Sequence, residues 1–331
     1  MIDISRNGRE IPWQEKKTKT FSVADSFDRL GNFKRAKKLR DCGTFLAFKR
    51  YLADNSLKLH FANFCKIRLC PLCSWRRSLK IFGQVSQIMN VAQKEKEHEF
   101  LFLTLTVKNC PDKELSKTLD MMLQGYDKMF KRACIKKAVL GSFRALEITH
   151  NTNKYSQNYD TYHPHFHCVL MVNKSYFSRN SGYYLSQREW ANLWQDVIGV
   201  DYAPLVDIRK IDKTGKGIEK AVAEVAKYSV KDADFLSPDE ALQDKAIMVL
   251  DEALANRRLI SFRGEFAKIQ KQLALDDALD GDLVHCDGDD ELRSDLEFVI
   301  EKYRWNVGYR QYCLLDDNNE FANVAADADA Q

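Results

Sequence analysis

The chain has 331 residues, 45% of them hydrophobic and 30% charged, which is enough to bury the core of one large domain or two small ones. Its net charge of +4 hides an asymmetry: from Asp276 to the C-terminus sixteen acidic residues face four basic ones, which leaves 47 basic against 31 acidic residues before that point. Met1 to Glu10 lack an apolar leader core and no later apolar run could span a bilayer, so a soluble cytoplasmic protein is expected, with a basic body suited to a polyanion such as nucleic acid.

Residues 1–41 read as a basic, weakly ordered lead-in that carries the cluster Lys34-Arg35-Ala36-Lys37-Lys38-Leu39-Arg40. Residues 42–98 form a cysteine-rich segment and a helix. Cys42, Cys65, Cys70 and Cys73 follow the pattern C-x22-C-x4-C-x2-C. In a reducing compartment four thiolates so spaced can close a tetrahedral structural Zn²⁺ site, with buried free thiols as the alternative. A helix is expected from Ser74 to about Glu97. A zinc site there would pin Arg76, Arg77 and Lys80 at the helix start, where they could grip phosphates. The other five cysteines lack partners at useful spacing and read as packing residues.

Residues 99–236 carry the strongest patterns. Phe100 to Val107 alternates as a strand, and Leu115, Leu119, Met122, Leu123, Tyr126, Met129 and Phe130 recur at helical spacing between Asp112 and Lys137. A second strand, Ser142 to His150, sets Leu146 and Ile148 on one face and Ala145, Glu147 and Thr149 on the other. A polar loop, Asn151 to Asp160, then leads into a third strand, Tyr162 to Val172. Side chains alternate along a strand, so His163, His165 and His167 share one face while Phe166, Cys168 and Leu170 share the other. His163 reads as an ordinary polar residue. His165 and His167, joined by Glu147 from the hairpin partner, suit a divalent ion such as Mn²⁺ or Mg²⁺ with open positions for phosphate oxygens, and zinc remains an option.

A capping box at Ser186 and Glu189 starts another helix, a strand follows near Leu205 to Ile211, and a helix is expected from Ile218 to Lys231. That helix would bring Glu224 and Tyr228, four residues apart, onto one face, with Lys227 and Lys231 beside them. A free tyrosine has a pKa of about 10, so roughly one phenol in a thousand is ionised at pH 7, and a nearby cation would raise that fraction. Residues 237–275 form a helical extension opened by Ser237-Pro238-Asp239-Glu240. Residues 276–331 form an acidic tail, mobile apart from one helix-like stretch from Glu291 to about Tyr303. The order of elements predicts an α+β fold: a mostly antiparallel sheet with helices on one face.

These residues resemble a known family, the rolling-circle replication initiators of small bacterial plasmids within the HUH endonucleases. The resemblance rests on Phe102-Leu103-Thr104-Leu105-Thr106, His163-Pro164-His165-Phe166-His167 and Glu224-Val225-Ala226-Lys227-Tyr228, in that order, and covers roughly Asp41 to Leu236. It implies an RRM-like HUH nuclease domain in which Tyr228 attacks a phosphodiester. A metal on His165, His167 and Glu147 would polarise the phosphate, and Glu224 would activate water to end the round. It also implies origin DNA, single-stranded or extruded at the nick, as substrate, with a host helicase and the replication machinery as partners. An HUH transposase or relaxase, or a non-enzymatic zinc-containing DNA-binding repressor, are the competing readings.

Overall fold

The computed structural model describes residues 3–4, 10–94, 98–178, 180–213, 215–227, 229–286 and 296–315. In chain order the elements are α1 (Trp13–Arg29), α2 (Phe33–Asp41), β1 (Phe45–Tyr51), β2 (Leu57–Ala62), α3 (Pro71–Lys94) and β3 (His98–Thr106). There follow α4 (Asp112–Met129), α5 (Ala133–Ala138), β4 (Val139–Asn151), β5 (Thr161–Asn173), α6 (Gln187–Ile198), β6 (Val206–Lys210) and α7 (Gly215–Val225). The last are α8 (Glu240–Leu254), β7 (Ile260–Gly264), α9 (Glu265–Gln272), β8 (Phe298–Asn306) and β9 (Gln311–Leu314). The expected α+β class with antiparallel sheets is what forms, and no described helix is long and apolar enough to cross a membrane.

The chain divides into two compact units, Met1–Arg76 with Leu283–Gln331, and Arg77–Asp282. The first is built on an antiparallel sheet in the order β2-β1-β8-β9. One face of that sheet buries Leu46, Phe48, Tyr303, Trp305 and Tyr312 against α1, where Trp13 meets Phe48 edge-on at 5.5 Å and Phe21 stacks on Trp305 at 6.2 Å. Two expectations are corrected here. The lead-in is not weakly ordered over 13–41 but forms α1 and α2, because Trp13, Thr20, Val23, Ala24 and Phe27 make a buried helical stripe. The stretch expected as a helix from Glu291 to Tyr303 is a strand from Phe298 onward, paired along β1 from Phe45 opposite Arg304 to Tyr51 opposite Phe298. Residues 291–295 of that stretch, and the acidic tail over 316–331, lie outside the described residues.

The second unit holds a five-stranded antiparallel sheet in the order β6-β3-β5-β4-β7. Its apolar face is covered by α4 and α6: Phe166 lies 5.7 Å from the Tyr126 ring and 6.2 Å from the Trp194 ring, and the Trp194 indole donates to the Thr106 carbonyl at 2.9 Å. Each such buried aromatic contributes about 1.5–3 kcal/mol or more. The Ser186–Glu189 capping box forms and starts α6, and Asp239 caps α8 by accepting from the Leu242 N–H at 3.2 Å.

Three differences from the pattern reading are informative. The helix expected to run to Lys137 breaks after Met129 and resumes as α5, and the helix expected to reach Lys231 ends at Val225. Inside the expected helical extension, β7 joins the edge of the sheet beside β4. It turns into α9 through Gly264, at φ 58° and ψ −134°, where a Cβ would lie 2.0 Å from the Leu140 carbonyl oxygen. Gly264→Ala should therefore destabilise this unit by about 1–3 kcal/mol, whereas Gly215→Ala, which meets nothing within 4 Å, should leave it unchanged. Thermal unfolding of the two variants checks this: equal midpoints would contradict it.

Candidate functional site

The hairpin β4–β5 sets the first cluster. Its register places Glu147 opposite His165 and Ala145 opposite His167, and β3 places Thr104 opposite His167 on the other side. The Glu147 carboxylate oxygen Oε2 lies 3.3 Å from His165 Nε2 and 3.0 Å from His167 Nε2, and all three ligand atoms lie within 4.8 Å of one another. The other ring nitrogens are engaged from behind. His165 Nδ1 sits 3.2 Å from the His163 carbonyl oxygen and His167 Nδ1 sits 3.4 Å from the Thr104 hydroxyl. The carbonyl oxygen can only accept, which sets a proton on His165 Nδ1 and leaves its Nε2 for a metal, while the Thr104 hydroxyl can either donate to or accept from His167 Nδ1. His163 takes no place in the cluster, as the pattern reading expected of it.

Glu147 is only 4% exposed. Burial pushes its pKa up, but bonds from His165, His167 and Lys231 outweigh that and hold the carboxyl well below the usual carboxylate range. The Lys231 ammonium is 2.5 Å from Glu147 Oε1. Glu224, at the end of α7, brings an oxygen to 3.9 Å from His167 Nε2 and pairs with Lys227 at 2.6 Å. The chain then leaves the helix and is tied to β4: the Ile148 N–H donates to the Ser229 carbonyl at 2.7 Å, and the His150 N–H and the Lys231 N–H both donate to the Asp234 carboxylate. Tyr228 lies outside the described residues. α7 ends at Val225, so the helix expected to run to Lys231 and to carry that pair stops short.

In the first unit, Cys42, Cys65, Cys70 and Cys73 converge. The sulfur separations are 3.5 Å for Cys42–Cys73, 3.7 Å for Cys42–Cys70 and 3.8 Å for Cys65–Cys73. A tetrahedron of thiolates at about 2.3 Å from a zinc ion has edges of about 3.8 Å, whereas a disulfide needs about 2.05 Å. The four donors therefore fit a metal, and all four are free thiols. Sequence reasoning missed two supporting groups on α1. The Lys17 ammonium is 0% exposed and donates to the carbonyls of Arg40 at 2.7 Å and Cys42 at 2.5 Å. Thr20 Oγ1 lies 3.7 Å from Cys70 Sγ. Burial pushes the Lys17 pKa down, and the facing Cys42, Cys70 and Cys65 push it back.

The expected phosphate-gripping cations are turned inward. Arg76, Arg77 and Lys80 are 5%, 1% and 2% exposed. Arg76 donates to the carbonyls of Leu283 at 2.9 Å and Val284 at 2.8 Å. Arg77 donates to the Leu279 carbonyl at 2.7 Å, and Lys80 pairs with Asp276 and donates to the Asp282 carbonyl at 2.5 Å. A buried cation needs such partners, so these three serve the interior rather than a DNA backbone. Lys227 and Lys231 stay partly exposed, each already paired with a carboxylate.

If Lys17 balances the charge of a tetrathiolate, Lys17→Met should weaken metal binding by about 10- to 100-fold while Lys19→Met, an exposed neighbour paired with Glu15, should not. Chelator competition on the purified chain measures this, and equal affinities would count against it.

The family described as "Replication protein" matches residues 56–313 of this chain. A "Protein rep" of Streptococcus pneumoniae serotype 2 is 39% identical over 315 residues, 94% of each chain. One from Bacillus amyloliquefaciens is 38% identical over 335 residues, 94% of this chain and 96% of that one. One from a Bacillus species is 43% identical over 267 residues, 76% of this chain and 84% of that one. No solved structure matches the chain.

Proposed function

The chain belongs to this replication protein family, and from that premise we propose that it is a plasmid initiator that nicks one strand at the double-strand origin through Tyr228. The observation that supports this most is the Glu147–His165–His167 cluster with Glu224 at 3.9 Å from one imidazole. Glu147, His165 and His167 would hold a divalent ion, Mn²⁺ or Mg²⁺, which when bound would polarise a non-bridging phosphate oxygen as a Lewis acid.

The protein's own groups do the rest. The Tyr228 phenolic oxygen forms a bond to phosphorus while the bond from phosphorus to the 3′ oxygen breaks, giving a 5′-phosphotyrosyl link and a free 3′-hydroxyl primer. Lys227, next to Tyr228 in sequence, and Lys231, three residues on, would lend positive charge to the phosphate, and the proton the phenol gives up ends on the departing 3′ oxygen. Because a phenol is a good leaving group, the phosphotyrosyl bond keeps the energy of the broken one and the strand can be rejoined. Glu224 takes a proton from water in the hydrolysis that ends the round. The cysteine tetrad would hold a structural Zn²⁺ and would take no part in these steps.

Supercoiled DNA carrying a candidate origin, incubated with the protein and Mn²⁺ or Mg²⁺, should give nicked circles bearing a denaturation-resistant protein adduct. Tyr228→Phe should remove the adduct and lower nicking by about a thousandfold or more, and His165→Ala should do the same. A Tyr228→Phe protein that still forms the adduct would refute the assignment. Glu224→Ala should leave nicking intact and impair termination, and normal termination in that variant would remove its role.

A further inference from the structure

The β2-β1-β8-β9 sheet has a second face, turned away from α1, that the nicking reaction does not use. Register puts Phe45 opposite Arg304, Ala47 between Phe61 and Lys302, and Lys49 opposite Ile300. The Phe45 and Phe61 rings lie 5.9 Å apart, and the Lys49 ammonium sits 4.5 Å over the Phe298 ring. Phe61 and Phe298 are 42% and 41% exposed. The four strands carry a single carboxylate, Glu301, and it is on the opposite face, held by Arg50 at 2.8 Å and by the Tyr303 hydroxyl at 2.6 Å. Around Phe61 and Phe298 this face combines half-exposed aromatic rings with strand cations, while Ala47 and Tyr51 on the same face are buried.

We propose that this face is a second nucleic-acid site, a platform for single-stranded DNA on which Phe61 and Phe298 stack with bases while Lys49, Lys302 and Arg304 hold phosphates. Rings on a sheet surface offer π-faces to bases that are already unstacked, and cations among them track a backbone without reading sequence. A four-stranded sheet is too broad to enter a duplex groove as a two-stranded ribbon or helix does. Two copies of the face would repel each other, and an acidic protein would leave the rings unused. The choice of DNA rests on the replication reading above. In that setting the platform would hold single strand exposed during replication.

The test uses the full-length protein, a fluorescein-labelled oligothymidylate without origin sequence, and anisotropy at several salt concentrations. Phe61→Ala and Phe298→Ala should each weaken binding by about 5- to 30-fold. Lys302→Ala should lower the slope of log affinity against log salt by about 0.7. Photo-crosslinking an oligonucleotide that carries 5-iodouracil should mark peptides containing Phe61 or Phe298. Both rings are exposed enough for the variants to fold, which unchanged melting and metal content would verify. Wild-type affinity in such folded variants, crosslinks confined to residues 100–282, or a change in self-association with no change in affinity would each overturn the proposal. The two sites are separable: the platform variants should still form the Tyr228 adduct on a short origin oligonucleotide at saturation. A Tyr228→Phe protein should still bind oligothymidylate.

Discussion

The pairing of β4 with β5 fixes two things at once, because side chains on opposite faces of a strand cannot be set independently. The step that puts Leu146 opposite Phe166, under Tyr126 and Trp194, is the step that puts Glu147 opposite His165 and Ala145 opposite His167. A slip of one residue would send the carboxylate and both imidazoles into the apolar layer and bring Phe166 out. Several kcal/mol of aromatic burial therefore guard the geometry of three polar side chains that would be costly neighbours if misaligned. The core does not merely support the cluster; it chooses its register.

The first unit solves a different problem. Its sheet has one well-covered face, and the segment from Cys65 to Cys73 buries Leu69 and Leu72 together with Cys70 and Cys73. A metal on the four sulfurs would tie that segment to Cys42 at the end of α2; Thr20 of α1 meets it at Cys70 Sγ, and Lys17 of α1 holds the Arg40 and Cys42 carbonyls. A cation and a hydroxyl placed behind the sulfurs lower the cost of gathering negative charge in a dry site.

Local signals were legible in the sequence and long-range ones were not. Alternation in β4 and β5 placed Glu147, His165 and His167 on one face, where the structure has them, since period two depends only on neighbours along the strand, and the capping box at Ser186 identified the start of α6. The β8 region was misread for a physical reason. Leu292, Leu296, Val299, Ile300 and Tyr303 recur at helical spacing, and what decides the outcome over the described part is pairing with Phe45–Tyr51, which no local window contains. Lys17 sits on the buried stripe of α1 and disguised it as a polar lead-in. Arg76, Arg77 and Lys80 looked like surface cations because the carbonyls that satisfy them lie some two hundred residues away. The early end of α7 has the same origin: the Ser229 carbonyl is claimed by the Ile148 N–H of a distant strand.

The pairing of β1 with β8 also bears on how the protein is made. Arg50 and Glu301 are bonded across a separation of 251 residues, so β1 leaves the ribosome long before the strand that will lie beside it. At about 5–20 residues per second the delay is roughly 10–50 s. During that interval the second unit has all its strands and can fold, while one edge of β1 remains an unsatisfied template for any passing strand. A nascent chain of this protein is thus most vulnerable at its beginning, and a message truncated before codon 298 would yield a molecule with a finished five-stranded sheet and a permanently open seam near its N-terminus.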